Sequence, residues 1–132
     1  MNVPILRTSW TASSQRTSGH YDEHATEYES MRCRCRGCGT SFVFTAEAQQ
    51  MAYEVDRKYV WWLPAYCEVC VVLLEGLQAR NRSFEDQWDV ARQALKEDTR
   101  LMTEWLSVLR EMSALGKGNP SMETHLAKLL SP

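Results

Sequence analysis

Long hydrophobic runs are the first thing this 132-residue chain lacks. Its longest apolar stretches, Tyr59–Cys67 and Val69–Leu74, are too short to cross a bilayer. Residues 1–18 hold one short apolar group, Val3–Leu6, followed by polar residues, and so do not read as a secretory signal. A large charge of either sign is also missing: 15 Lys and Arg stand against 17 Asp and Glu, for a net charge of −2. That excludes a global basic footprint for nucleic acid or an anionic membrane. There is no internal repeat, no Ser-His-Asp set, no glycine-rich phosphate loop and no carboxylate pair at metal spacing. We therefore expect a protein that is not an enzyme, in a reducing, cytoplasmic location. There, the five cysteines point to metal or redox chemistry rather than to structural disulfides.

Charge is uneven along the chain. Residues 1–31 carry two basic and four acidic groups, residues 32–82 seven and five, and residues 83–132 six and eight. Four thiolates around a divalent ion would add −2 to the middle segment and cancel its surplus, so any basic patch there is local.

Two C-x-x-C pairs dominate that middle segment. Cys35 and Cys38 lie in Arg32-Cys-Arg-Cys-Arg-Gly-Cys-Gly39, and Cys67 and Cys70 follow after 28 intervening residues. Each pair can aim two thiolates at one ion, and Gly37 and Gly39 permit the tight turn this needs in the first. Four cysteines close a tetrahedral shell, which suits one structural Zn2+ per chain better than catalysis, where a position stays open for water. Cys33 is the odd thiol; it could replace Cys35, but C-x-x-C-G is the better knuckle spacing. Arg32, Arg34 and Arg36 alternate through the same stretch and share a face if it is extended. They either solvate the knuckle or touch phosphate.

Between the cysteine pairs, Phe42-Val-Phe44 reads as a short strand and Thr45 as the N-cap of a helix over Ala46–Arg57. Tyr59-Val-Trp-Trp-Leu63 reads as a second strand ended by Pro64, with Trp61 and Trp62 on opposite faces. Either tryptophan, if exposed, would be a binding anchor. After Cys67 the pattern Val69, Val72, Leu73, Gly76, Leu77 is helical, so the second pair opens a helix whose dipole favours thiolate.

Cysteines and interior together, Cys35-x-x-Cys-Gly-x-x-Phe-Val-Phe-Thr-Ala-x-x-Gln-Gln, then Tyr53-Glu54, Lys58-Tyr-x-Trp-x-x-Pro64 and Cys67-x-x-Cys70, resemble the zinc-ribbon (treble-clef type) domains of bacteria. The likeness covers roughly residues 33–75. It implies a zinc-binding module with Cys35, Cys38, Cys67 and Cys70 as ligands, and it implies no activity. The family usually places an arginine after the last cysteine, where this chain has Val71.

The flanks are read from the residues alone. Residues 1–31 look like a polar arm, with Trp10, Tyr21 and Tyr28 as candidate anchors. The arm contains His20-x-x-Glu23-His24, a weak match to a zinc-peptidase string that needs a helix to work. Asn81-Arg-Ser83 suggests a break, with Ser83 and Asp86 as a capping pair. Phe84, Trp88, Ala91, Leu95, Met102, Trp105, Leu109 and Met112 then form a heptad seam. One helix over 84–115 would be about 48 Å long, so it either breaks near Lys96–Thr99 or pairs along its length. A final short helix opens at Pro120 or Ser121.

The expected fold is α+β, mostly α. It comprises a polar arm (1–31), a zinc-binding module of treble-clef type (32–80) and a helical extension (81–132). The leading expectation for function is a protein–protein interaction module, a regulator or an inhibitor- or immunity-like protein. Trp61, Trp62, Trp88, Met102 and Trp105 would be contact residues, and a homodimer through the 84–112 helix would be one form of it. The alternative for the seam is that it is the chain's own core. The alternative for function is a nucleic-acid-binding ribbon using Arg32, Arg34 and Arg36 with Trp61 or Trp62 stacking.

Overall fold

The computed structural model describes residues 1–132 and is mostly helical, with two small two-stranded sheets. The chain divides into two compact units. The first comprises Met1–Cys35 and Thr40–Ala65, and the second Arg36–Gly39 and Tyr66–Pro132.

In the first unit, β1 (Val3–Pro4) pairs antiparallel with β2 (Glu27–Tyr28), and β3 (Met31–Arg34) with β4 (Ser41–Phe44). A single-turn helix α1 (Ala12–Gln15) starts on Thr11, and α2 (Ala46–Gln50) starts on Thr45, whose hydroxyl accepts from Ala48 N at 3.1 Å. Helix α2 widens into a π-turn over Met51–Val55, so the helix expected over Ala46–Arg57 is two helical types in succession.

Residues 1–31 are no separate arm. Trp10 and Tyr28 are fully buried and, with Phe44, Tyr53 and Val60, make the unit's core, while Tyr21 packs against it. The hydrophobic pattern there is weak because the core is aromatic and held by polar groups. Trp10 Nε1 donates to Tyr28 Oη at 2.7 Å, and Tyr21 Oη donates to Gln49 Oε1 at 2.6 Å. Gln49, itself fully buried, donates from Nε2 to the carbonyls of Glu29 and Phe44. Burial pushes the hydroxyls of Tyr21, Tyr28 and Tyr53 well above the usual phenol range, so they remain protonated partners in this network.

Tyr59–Leu63 is not a strand. Trp62 N donates back to Tyr59 O at 2.8 Å in a turn, Val60 N donates to Ser14 Oγ, and Trp62 O accepts from Tyr53 Oη. These partners occupy backbone groups that a ladder would have needed.

The second unit is helical: α3 (Glu68–Glu97), α4 (Thr99–Ala114) and α5 (Pro120–Leu130), with α4 packed on both neighbours. Helix α3 runs through the expected break at Asn81–Ser83. The Asn81 side chain is occupied instead: its Oδ1 accepts from Trp105 Nε1 at 2.9 Å and its Nδ2 donates to Glu85. The helix departs from helical geometry at Ala91 (φ −137°, ψ 50°) and ends at Asp98, within the range expected for a break. Asp98 caps α4 by accepting from Leu101 N at 3.0 Å. Helix α4 ends on Gly116 (φ +83°), with Lys117 N bonded to Met112 O and Gly116 N to Ser113 O, a Schellman closure that needs a left-handed residue.

With α4 packed on α3, the heptad seam is the unit's own core. Met102, Trp105, Leu109 and Met112 are buried, as are Phe84 and Leu95 of α3. Met102 and Trp105 therefore lie inside the unit rather than on its surface. Trp88 stays half-buried, with Arg92 over its ring and His125 edge-on. No helix is long and apolar enough to cross a membrane.

Candidate metal centre

The first two thiols sit on a knuckle that follows β3. Cys35 N donates to Thr40 O at 2.9 Å, closing a turn through Gly39, whose φ of +76° favours glycine. Gly37 is constrained by space instead. A Cβ there would lie 2.7 Å from Leu115 Cδ2 and 3.1 Å from Cys70 Sγ. The other two thiols open α3. Cys67 is its N-cap in extended geometry, with its carbonyl accepting from Val71 N at 2.9 Å, and Cys70 lies in the first turn. The positive end of α3 is thus directed at both. Tyr66 Oη donates to Leu115 O at 2.5 Å and fixes the approach to the helix.

The Sγ atoms of Cys35, Cys38, Cys67 and Cys70 all lie within 4.8 Å of one another, and none is in a disulfide. Cys38 Sγ and Cys67 Sγ are 3.7 Å apart. A tetrahedron with metal–sulfur bonds of about 2.3 Å has edges of about 3.8 Å, so the spacing matches ligands around one ion and not a bonded pair. Cys35 and Cys70 are buried, Cys67 is half-buried and Cys38 is exposed. The four cysteines singled out from the sequence converge, and together they can hold a metal ion.

Cys33 is not among them. It sits on β3 opposite Phe42, against the aromatic core of the first unit, and burial pushes its thiol up. Arg32 and Arg34 are exposed on β3, while Arg36 belongs to the knuckle. Trp61 is about half exposed and donates to Thr17 Oγ1; Trp62 is partly exposed under Lys58.

His20-x-x-Glu23-His24 forms no helix and no metal pair. His20 stacks near Tyr21 and Tyr53, where burial lowers its pKa, while His24 points to solvent and touches Glu23 at 3.3 Å. What sequence reasoning missed is the fate of Val69, Val72 and Leu73. Their spacing reads as helical without saying what covers them, and all three are exposed. Leu77 of the same pattern turns inward, as do Cys70 and Leu74.

Gly37→Ala is expected to destabilise the chain by about 1–3 kcal/mol, because the new methyl overlaps Leu115 and crowds a ligand sulfur. Urea unfolding compared with Gly39→Ala, whose Cβ would meet nothing within 4 Å and whose cost is backbone strain alone, separates crowding from conformation.

No protein-family model, no curated protein and no solved structure matches the chain.

Proposed function

We propose that the four thiols hold one structural zinc ion and that the chain acts as a protein–protein interaction module, as a regulator or an inhibitor- or immunity-like protein would. The likeness to zinc-ribbon domains and the closed all-sulfur donor set support zinc in a structural role. The observation that carries the interaction is the apolar face opening α3 directly behind the ligands. Val69 is 76 %, Val72 65 % and Leu73 50 % exposed. A shallow groove bordered by Val72, Leu73, Gly76 and Arg80 continues it. Apolar side chains at consecutive helical turns, left in water beside a metal-fixed helix start, are a rigid surface for a protein partner.

The test is affinity purification of the tagged chain from its host, in parallel with a Val72→Glu/Leu73→Glu variant. A stoichiometric protein recovered with the parent and lost with the variant is the expected result. Equal recovery with both would reject α3 as the contact face. A nucleic-acid reading is favoured by one observation, that Arg32 and Arg34 are exposed on one strand. Under that reading the co-purified material is nucleic acid and leaves steeply as salt rises.

A further inference from the structure

The hairpin β3–β4 has two unlike faces. Its register pairs Met31 with Phe44 and Cys33 with Phe42 on the side facing the core, and Arg32 with Val43 and Arg34 with Ser41 on the other. All four residues of the outer face are exposed. The one contact within 4.0 Å between an acidic and a basic side chain is that of Glu23 with His24, so neither arginine has an acidic partner.

The edge of β4 is open. Because Cys35 N donates to Thr40 O, the pairs two residues apart along the ladder, Cys33–Phe42 and Met31–Phe44, are those that exchange hydrogen bonds. The N–H and C=O of Ser41 and Val43 consequently point away from β3. The sheet holds only these two strands, so no third strand takes those groups. A groove of about 320 Å³ runs beside this edge, with Phe42, Phe44, Met51, Trp62 and Pro64 among its walls. No residue of β3 lines it, which places it on the outer flank of β4.

We propose that β4 is extended by a strand from a partner protein, a segment alternating apolar and acidic residues. Its backbone pairs with Ser41 and Val43, its apolar side chains enter the groove, and its acidic side chains lie on the face of Arg32 and Arg34. The open donors and acceptors call for an extended polypeptide rather than a helix or a nucleic acid. The unpaired arginines set the sign of its charge. An added strand lies about 10 Å from β3, within reach of arginine and glutamate side chains extended toward one another. The proposal rests on the interaction reading but uses a surface separate from the α3 face.

The test is fluorescence anisotropy on the full, metal-loaded chain with a labelled strand-length peptide alternating valine and glutamate. Saturable binding is expected. It should be lost when the peptide's alternate backbone amides are N-methylated, and weakened about tenfold when lysine replaces glutamate. Arg32→Glu/Arg34→Glu, which alters only exposed side chains, should reverse that preference. Absence of binding, indifference to N-methylation, or displacement of the peptide by a single-stranded oligonucleotide would overturn the proposal. If the peptide fails while Val72→Glu/Leu73→Glu still releases a co-purified protein, this inference falls and the interaction reading stands. If both fail, both fall.

Discussion

Cys70→Ser is expected to strip the metal and to lower the melting temperature by more than about 20 °C. Cys70 lies in the first turn of α3 with its thiol among three others within 4.8 Å, and it is almost wholly buried. Replacing its sulfur leaves three thiols and a hydroxyl that binds zinc poorly. Structural zinc sites in small peptides contribute about 10–16 kcal/mol near neutral pH, comparable to the whole stability of a typical domain. The core around Trp105 does not depend on the ion for its packing, so the helices should persist in part while the knuckle and the start of α3 lose order. Zinc content by mass spectrometry and melting by circular dichroism check this together. One zinc per chain retained with an unchanged melt would sink the structural-zinc proposal. Acid should act like the substitution, because thiols must lose protons to bind the ion: the metal's contribution is held at neutral pH and lost as pH falls.

Trp105→Ala should cost about 3–5 kcal/mol and shift the urea midpoint by roughly 2 M. The indole is 1 % exposed, stacks on Phe84 at 5.8 Å, meets Trp88 edge-on and donates to Asn81. Removing it opens a cavity between α3 and α4 and leaves Asn81 Oδ1 without that donor. Trp61→Ala, at a half-exposed site with one surface hydrogen bond, should cost less than about 1 kcal/mol. Size-exclusion chromatography should show the same oligomeric state for both variants and the parent. Equal unfolding midpoints for the two variants would contradict the placement of the seam as core.

The four-cysteine cluster was legible because its signal is local. Two turns, each with a C-x-x-C, need only short-range geometry to present their sulfurs, and Thr45 and Asp98 acted as the local breaks and caps their chemistry suggests. Misreadings arose where distant partners took over groups that local rules had assigned elsewhere. Asn81 reads as a helix breaker until Trp105, 24 residues away, occupies its side chain. Tyr59–Leu63 reads as a strand by its β-branched and aromatic residues, yet Ser14 and Tyr53 claim its backbone. The N-terminal stretch reads as a solvated arm because its buried anchors are few, large and joined through hydroxyl and amide groups, which apolar periodicity does not register. The exposed valines of α3 show the same limit from the other side, since spacing identifies a helical face without saying what covers it.

The four residues Arg36–Gly39 belong with a unit whose remaining sequence begins at Tyr66, while the chain on both sides of them folds into the other unit. No single cut in the gene separates the two. An expression fragment ending at Ala65 would keep Cys35 and Cys38 without their counterparts, and one starting at Tyr66 would carry Cys67 and Cys70 alone. A protease nick between Leu63 and Tyr66 would likewise leave Cys35 and Cys38 on one polypeptide and Cys67 and Cys70 on the other. For this chain, a cut at the unit boundary is also a cut through the cysteine set.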